Sequence, residues 1–214
     1  MNSIMSLGRL AQVKKPIVTT TEVALVLKKT LPAASQTMLT LVDSGVVTKI
    51  KRGLWAISTI RDPLIVAPYL TAPYSAYGSF WTALSRHDMI EQIPKEIHVI
   101  SLDRAQKIPT ALGTFHIYHI TKELYGGFIE TNGVRLATKE KALFDTIYLL
   151  SVLGSRHVSL VELTLPSNFD YNGLFNWVEK IPSKKLKTMT KTHLNKVIDE
   201  AKLEDSSDSV NAIL

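Results

Sequence analysis

The stretch AASQTMLTLVDSGVVTKIKRGLWAI, residues 33–57, decides the fold of the N-terminal part of the chain. Apolar residues at helical spacing predict a helix over 33–44, and Gly45 suits the position at which many helices end. Two short strands follow, which Arg52 and Gly53 join in a turn. A helix followed at once by a basic hairpin is typical of a winged helix-turn-helix. In that module one helix enters the DNA major groove and the hairpin lies along the phosphates.

Two further helices are predicted ahead of this stretch. Residues 3–14 carry apolar side chains at close to helical spacing, and Pro16 ends that pattern. Thr19 and Glu22 match a capping box, which predicts a second helix over about 20–28. The predicted hairpin strands are 46–51 and 54–57.

A different pattern begins after Asp62-Pro63. Extended segments are expected at 96–102 and 114–120, and Asn132-Gly133 predicts a hairpin because both residues tolerate positive φ. Helices are predicted over 64–70, 79–87, 139–150, 157–163, 171–180 and 183–203, and a loop over 71–78. We therefore expect an α+β protein with an N-terminal winged helix-turn-helix and a mixed α+β C-terminal domain. The predicted divisions are 1–60, 61–204 and a frayed tail over 205–214.

The composition indicates an ordinary globular protein with an excess of positive charge. Of the 214 residues, 45% are hydrophobic and none is cysteine, which excludes disulfides, thiolate zinc sites and a cysteine nucleophile. We find no secretory pattern at the N-terminus and no apolar run of membrane-spanning length, so we expect a cytoplasmic protein without membrane contacts.

The positive charge is concentrated at the N-terminal end. Residues 1–61 contain nine Lys and Arg residues and two acidic ones. Their net charge of +7 exceeds the net charge of +6 for the whole chain. This distribution is expected of a nucleic-acid-binding domain. A solvated basic surface without a ligand is the alternative.

The candidate DNA-binding residues come from the third helix and the hairpin. On the helix they are Ser35, Gln36, Thr37 and Thr40, where Gln can bond adenine through two hydrogen bonds and Ser or Thr can contact bases or phosphates. Ser35 is alternatively a helix cap. On the hairpin they are Lys49, Lys51 and Arg52, and strand alternation places the two lysines on one face, suited to phosphates. Trp55 is expected to belong to the core.

Other possible sites are weaker. Gly78-Ser79 resembles the opening of a nucleotidyltransferase site, but no D-x-D carboxylates follow, so we expect Ser79 to be a helix cap. His116 and His119 fall on opposite faces of a strand, which disfavours shared metal ligation. We predict no catalytic residue, metal or cofactor.

Two charged helical segments also have interpretations that involve no catalysis or ligand. Glu140, Lys141 and Asp145 lie on one predicted helix, where a solvated or ion-paired face is the default. The lysines between 180 and 196 form either a second DNA-contacting face or a solvated helix.

Three segments together resemble the AbiEi antitoxins of type IV toxin–antitoxin systems. Residues 45–55, GVVTKIKRGLW, are similar to the wing of that family, and 79–90, SFWTALSRHDMI, to its S-A-L-x-x-H-G-L helix. Residues 137–145, ATKEKALFD, are similar to its A-x-x-E-K-A-L-x-D signature. The agreement covers about residues 15–175. Asp88 stands where Gly is usual, Trp55 where Tyr is common, and Thr138 near a position often taken by Pro.

The resemblance implies an antitoxin that also represses its own operon. It implies a winged-helix domain bound to promoter inverted repeats, a C-terminal domain needed for antitoxicity, and a nucleotidyltransferase-like toxin countered without a stable complex. Two alternatives stay open. One is a nuclease-like, nucleic-acid-processing enzyme with a winged-helix targeting domain, and the other is a hairpin used only for protein contacts.

Overall fold

The computed structural model describes residues 3–154, 160 and 163–211. The protein belongs to the α+β class, with eight α-helices and nine strands in the described part. It divides into two compact units. The first comprises Met1–Val66 with Ile108–Thr114, and the second comprises Ala67–Lys107 with Phe115–Leu214.

The first unit contains three helices and a small antiparallel sheet in the order β1-β3-β2. Its elements are α1 (Ser3–Ala11), β1 (Ile17–Thr19), α2 (Thr20–Leu27), α3 (Leu31–Asp43), β2 (Thr48–Lys51) and β3 (Leu54–Ala56). The three predicted helices and the hairpin are present. Strand β1 was not predicted, because three residues are too few to show the alternation of a strand.

Local capping determines where α2 and α3 begin. Thr19 Oγ1 accepts from the Glu22 backbone N–H at 3.2 Å, and Glu22 Oε2 accepts from the Thr19 N–H at 2.7 Å, which confirms the capping box. Helix α3 begins two residues earlier than predicted, because Thr30 caps it and Pro32 occupies its first turn. Ser35 is therefore not the cap.

The core of the first unit lies between the three helices and the sheet. Trp55 is 1% exposed, as predicted, and its Nε1–H donates to Thr20 Oγ1 at 2.9 Å. Met38 and Leu41 from α3 and Val23 from α2 belong to the same buried cluster. This cluster holds α3 with its opposite face toward solvent.

The second unit contains most of a mixed six-stranded sheet in the order β6-β7-β5-β4-β9-β8, of which Ile108–Thr114 group with the first unit. Its strands are β4 (Ala76–Gly78), β5 (Ile97–Ser101), β6 (Gln106–Thr110), β7 (Gly113–His119), β8 (Phe128–Thr131) and β9 (Val134–Ala137). Its helices are α4 (Ala67–Leu70), α5 (Phe80–Arg86), α6 (Lys139–Val152), α7 (Tyr171–Glu179) and α8 (Lys184–Asn211). Strand β4 pairs antiparallel with β5 and parallel with β9.

Strong local signals in this unit are confirmed. The β8–β9 hairpin turns at Asn132-Gly133 as predicted, with φ of 53° at Asn132 and 79° at Gly133. Thr138 caps α6 by accepting from the Lys141 N–H.

The predicted loop over 71–78 is wrong at its C-terminal end, where Ala76–Gly78 form the buried strand β4. Both faces of a central strand are covered, so its sequence lacks alternation, and the preceding Pro73 suggested a loop. Strand β6 was also missed, since Pro109 lies within it. Pro109 is tolerated because β6 is at the edge of the sheet.

The predicted helix over 157–163 falls mainly outside the described residues, and Leu160 and Leu163 are not helical. Helix α8 continues to Asn211, inside the predicted tail, and residues 212–214 lie outside the described part. Within that part, no helix is both long enough and apolar enough to cross a membrane.

Candidate nucleic-acid interface

Helix α3 presents a polar face because its apolar residues lie on the other side. Ala34, Met38 and Leu41 are buried at spacings of four and three residues. Gln36 and Thr40, on the opposite side, are exposed. The burial of one stripe thus leaves polar side chains where a DNA groove can reach them.

Three of the four candidate residues on α3 share a face. At about 100° per residue, Gln36, Thr37 and Thr40 fall within an arc of about 100°. Ser35, which is half-buried, lies outside that arc. The first three can therefore meet one groove, and Ser35 is placed at the flank of the helix.

The two threonines already have partners for their hydroxyls. Thr37 Oγ1 donates to the Ala33 carbonyl at 2.8 Å and accepts from Lys29 Nζ at 2.6 Å. Thr40 Oγ1 donates to the Gln36 carbonyl at 3.1 Å. The Gln36 amide makes no hydrogen bond within the described residues. Gln36 is thus the candidate best prepared for base contacts, while Thr37 positions the Lys29 ammonium.

The β2–β3 hairpin carries its cations differently from the prediction. The pairing register shifts between Lys49 and Lys51, so a β-bulge interrupts strict alternation. Lys49 is exposed, with Nζ 5.9 Å from the centroid of the Trp55 ring, whereas Lys51 is half-buried. Arg52 is exposed in the turn. Contrary to the prediction, strand alternation therefore does not place Lys49 and Lys51 on one face, because the bulge lies between them.

The cations of this unit have few internal partners. In the described residues, no carboxylate lies within ion-pair distance of Lys28, Lys49, Lys51 or Arg52. Glu22 Oε1 forms an ion pair with Lys15 Nζ at 2.8 Å. Burial tends to raise the pKa of Glu22, but hydrogen bonds from Lys15 and Thr19 outweigh it and lower the pKa. The positive charge of the hairpin is therefore left uncompensated.

Residues Ile108–Thr114 group with this unit although no sequence pattern indicates it. The Ala111 backbone N–H donates to the Ile50 carbonyl at 3.0 Å. Ile50 lies on β2, at the edge of the small sheet, so this bond uses a backbone acceptor that an edge strand otherwise leaves to solvent.

A buried polar cluster in the second unit corrects the prediction for α6. Lys141 and Asp145 are both 0% exposed and form an ion pair, so this face is ion-paired but not solvated. Lys141 Nζ also donates to the Leu124 carbonyl at 2.8 Å. Asp145 Oδ2 accepts from Ser79 Oγ at 2.7 Å and from Tyr77 Oη at 3.0 Å.

This cluster explains two sequence features by structure. Ser79 stands at the N-cap of α5, but its hydroxyl makes no capping bond and serves Asp145 instead, so the predicted cap is wrong in its bonding. Burial raises the pKa of Asp145 and lowers that of Lys141, and the charge of each partner opposes the shift in the other. With no solvent access, the cluster holds α6 against β4.

Other charged groups do not assemble a metal site. In the described part of the chain, no three His, Asp or Glu side chains are placed to hold a metal ion. Asp88 and Glu91 line a cavity of about 460 Å³, without a third such ligand. His116 bonds Tyr118 and His119 bonds the Asp103 carbonyl, which confirms that the two histidines have separate surroundings.

The C-terminal lysines are in part internally satisfied. Lys187 pairs with Glu179 at 3.3 Å and Lys196 with Glu200 at 3.6 Å. Lys180 Nζ lies 3.8 Å from the centroid of the Trp177 ring. Lys180, Lys184, Lys185 and Lys191 are exposed, and none of them has a carboxylate within ion-pair distance in the described residues. Two of the six lysines are therefore compensated within the described residues and four are not, so the segment is still either a second DNA-contacting face or a solvated helix.

No protein-family model matches the chain. No curated protein matches its sequence at a significant level. The resemblance to AbiEi antitoxins therefore stays a prediction that depends on the three segments quoted above.

Proposed function

We propose that this chain is a transcriptional regulator that binds double-stranded DNA through its first unit, used as a winged helix-turn-helix. The observation that carries the proposal is the set of uncompensated cations beside an exposed polar helix. Lys28, Lys49, Lys51 and Arg52 have no carboxylate partner in the described residues, and α3 exposes Gln36 and Thr40. Lys28, Lys49 and Arg52 are exposed and Lys51 is half-buried, and cations without internal partners at the surface are available to phosphates.

In this proposal α3 lies in the major groove. Gln36 bonds the edge of an adenine through its amide, which can donate and accept at once. Lys29, held by Thr37, contacts a phosphate at the rim of the groove. Thr40 contacts the adjacent backbone or a thymine methyl, and Ser35 serves only at the flank.

The hairpin supplies the sequence-independent part of the affinity. Lys49, Lys51 and Arg52 contact phosphates, and each contact contributes about 0.9 to the slope of log K against log salt. One short module buries too little surface for tight specific binding. Two copies are therefore proposed to bind an inverted repeat in the promoter of the chain's own operon.

The antitoxin role depends on the resemblance to the AbiEi family. We propose that the second unit counters a nucleotidyltransferase-like toxin without a stable complex, in the cytoplasm. No catalytic residue is assigned to this chain. Of the two carboxylates in the family-like signature, Asp145 is buried in an ion pair with Lys141, and Glu140 accepts from the Asp170 backbone N–H at 3.2 Å.

Titration of the upstream promoter duplex at several salt concentrations tests the DNA-binding part. We expect affinity to fall steeply with salt, with a slope that reports about six or more phosphate contacts for two modules. Fluorescence anisotropy of a labelled duplex measures this. Absent binding, or binding that salt does not weaken, would overturn the proposal.

A charge reversal separates DNA binding from antitoxicity. Lys51→Glu with Arg52→Glu should abolish promoter binding, because both phosphate contacts become repulsive. Arg104→Glu with Lys122→Glu, an equal change at exposed positions of the second unit, is the control and should leave binding intact. Survival of toxin neutralisation in the first double variant would assign antitoxicity to the second unit, and its loss would contradict that assignment.

A further inference from the structure

A cavity of about 390 Å³ opens beside α5 and β5 in the second unit. This volume falls within the range of small-molecule sites. Its apolar wall comes from Trp81, Ile90, Ile93 and Pro94, and its polar and charged groups are Gln92, Lys95, Glu96 and His98. An apolar wall with a few polar groups is the usual composition of a ligand site.

A chain of hydrogen bonds runs to His98 from a charged anchor. Lys107 Nζ lies 2.8 Å from Glu96 Oε1, and this contact lowers the pKa of Glu96. Glu96 Oε2 lies 3.3 Å from His116 Nδ1, which is 2.9 Å from Tyr118 Oη. Tyr118 Oη is in turn 3.1 Å from His98 Nδ1. Each group can therefore exchange a hydrogen bond with the next.

The ionised Glu96 carboxylate determines which group donates and which accepts in each bond of this hydrogen-bond chain. A carboxylate only accepts, so His116 Nδ1 must carry the proton and donate to Glu96. The single Nδ1 proton is shared between Glu96 Oε2 at 3.3 Å and Tyr118 Oη at 2.9 Å in a three-centre bond, which leaves the tyrosine proton for His98. His98 Nδ1 accepts it, and its own proton resides on Nε2.

His98 stays neutral in this arrangement. Burial lowers its pKa to about 4, so both nitrogens keep these roles at neutral pH. Its Nε2 has no hydrogen-bond partner within the described residues and is not among the buried unsatisfied atoms found there. Because His98 lines the cavity, Nε2–H is available as a donor to a ligand.

We propose that this cavity binds an uncharged, planar heteroaromatic ligand of the nucleobase class. The ligand stacks on the half-buried Trp81 ring and accepts a hydrogen bond from His98 Nε2–H at a carbonyl oxygen or ring nitrogen. Gln92 supplies an amide that both donates and accepts, which complements the adjacent donors and acceptors of a base edge. The site is additional to the DNA interface and makes the second unit a candidate sensor.

Titration of the full-length protein with guanosine and with uridine tests the proposal directly. We expect at least one nucleoside to bind with a Kd of about 1 mM or tighter and to quench Trp81 fluorescence. Indole, which is planar but has no acceptor for the His98 proton, should bind at least about tenfold more weakly. The proposal is overturned if neither nucleoside binds at a concentration of about 10 mM, or if indole binds as tightly as the nucleosides do.

Two variants test the individual contacts. Trp81→Leu should abolish nucleoside binding. Tyr118→Phe removes the bond that orients His98 and should weaken binding about three- to tenfold. Tyr74→Phe, at an exposed tyrosine, is the matched control and should bind as the parent does. If Tyr118→Phe binds nucleosides as the parent does and unfolds at the same temperature, the hydrogen-bond chain does not orient His98 for binding.

The tautomer can be measured without any ligand. Nitrogen-15 spectra of the imidazoles should show His98 protonated at Nε2 in the parent, and exchange between tautomers in Tyr118→Phe. A proton found on Nδ1 in the parent would overturn the inferred direction of the chain. This readout does not depend on the fold of a damaged variant.

Discussion

The two units differ in the exposure of a lysine side chain. On the β2–β3 hairpin Lys49 is exposed, and no carboxylate in the described residues pairs with it. On α6 Lys141 is completely buried and paired with Asp145. A cation left in water keeps its solvation and can exchange it for a phosphate, whereas a buried cation depends on its partner. Exposure therefore distinguishes charge available to a ligand from charge that maintains the fold.

Removal of one partner from the buried pair should have the largest effect. Asp145→Ala leaves Lys141 buried without a counter-charge and also frees the hydroxyls of Tyr77 and Ser79. We expect the free energy of unfolding to fall by about 3–5 kcal/mol. Urea denaturation of parent and variant measures it.

The rescue for this variant is Lys141→Met with Asp145→Leu. Replacement of both charges by apolar groups should recover most of the loss, since a buried pair is often no better than a packed apolar one. A single variant as stable as the parent would show that the pair does not hold α6, and would remove the contrast with the hairpin.

The exposed face of α3 should respond in DNA binding and not in stability. Gln36→Ala should cost about 1–3 kcal/mol of discrimination at one base pair and leave the unfolding curve unchanged. Anisotropy titrations against the operator and single-base variants measure it. Ser35→Ala, outside the shared arc, is the control, and an equal loss there would contradict the assigned face.

Lys49→Ala tests the hairpin at smaller scale. Loss of one phosphate contact per module should lower the salt slope by about 0.9 for each bound copy. The stability should change little, because the cation is exposed. A salt slope equal to that of the parent would place Lys49 away from DNA.

The capping box of α2 contains an acidic group, Glu22, whose hydrogen-bond partners are close to it in the sequence. Glu22→Ala removes bonds to Thr19 and Lys15 and should cost about 1 kcal/mol at pH 7. The folded-state pKa of Glu22 lies below its ordinary value of 4.5, so its contribution is present above that pH. It is lost as the pH falls through the folded-state pKa, and the two proteins should converge in urea midpoint once the pH is below that pKa. A difference that persists there would mean that the charge is not the cause.

Much of the fold could be predicted where the decisive interactions are local. The capping box at Thr19 and Glu22 and the Asn132-Gly133 turn each involve residues within a few positions. Strand β4 could not be predicted, because its pairing partners come from β5 and from the much later β9. Its identity depends on contacts that no local pattern contains.

The candidate interface was predictable in composition and less so in geometry. The polar residues of α3 follow from helical spacing around Met38 and Leu41. The bulge between Lys49 and Lys51 does not follow from strand alternation, and neither does the contact between Ala111 and Ile50. The chain from Glu96 to His98 likewise joins β5 to β7 through pairing that only the sheet provides.

The sequence by itself determined the charge distribution, the caps of α2 and α6 and the Asn132-Gly133 turn, because these depend on residues close in the chain. The tertiary structure alone decided which charges are buried. Lys141 and Asp145 have the spacing of a surface pair, and only the packing of α6 against Leu124, Tyr77 and Ser79 removes them from water. Burial is a property of the surroundings, and here those surroundings come from elements more than fifteen residues away in the chain.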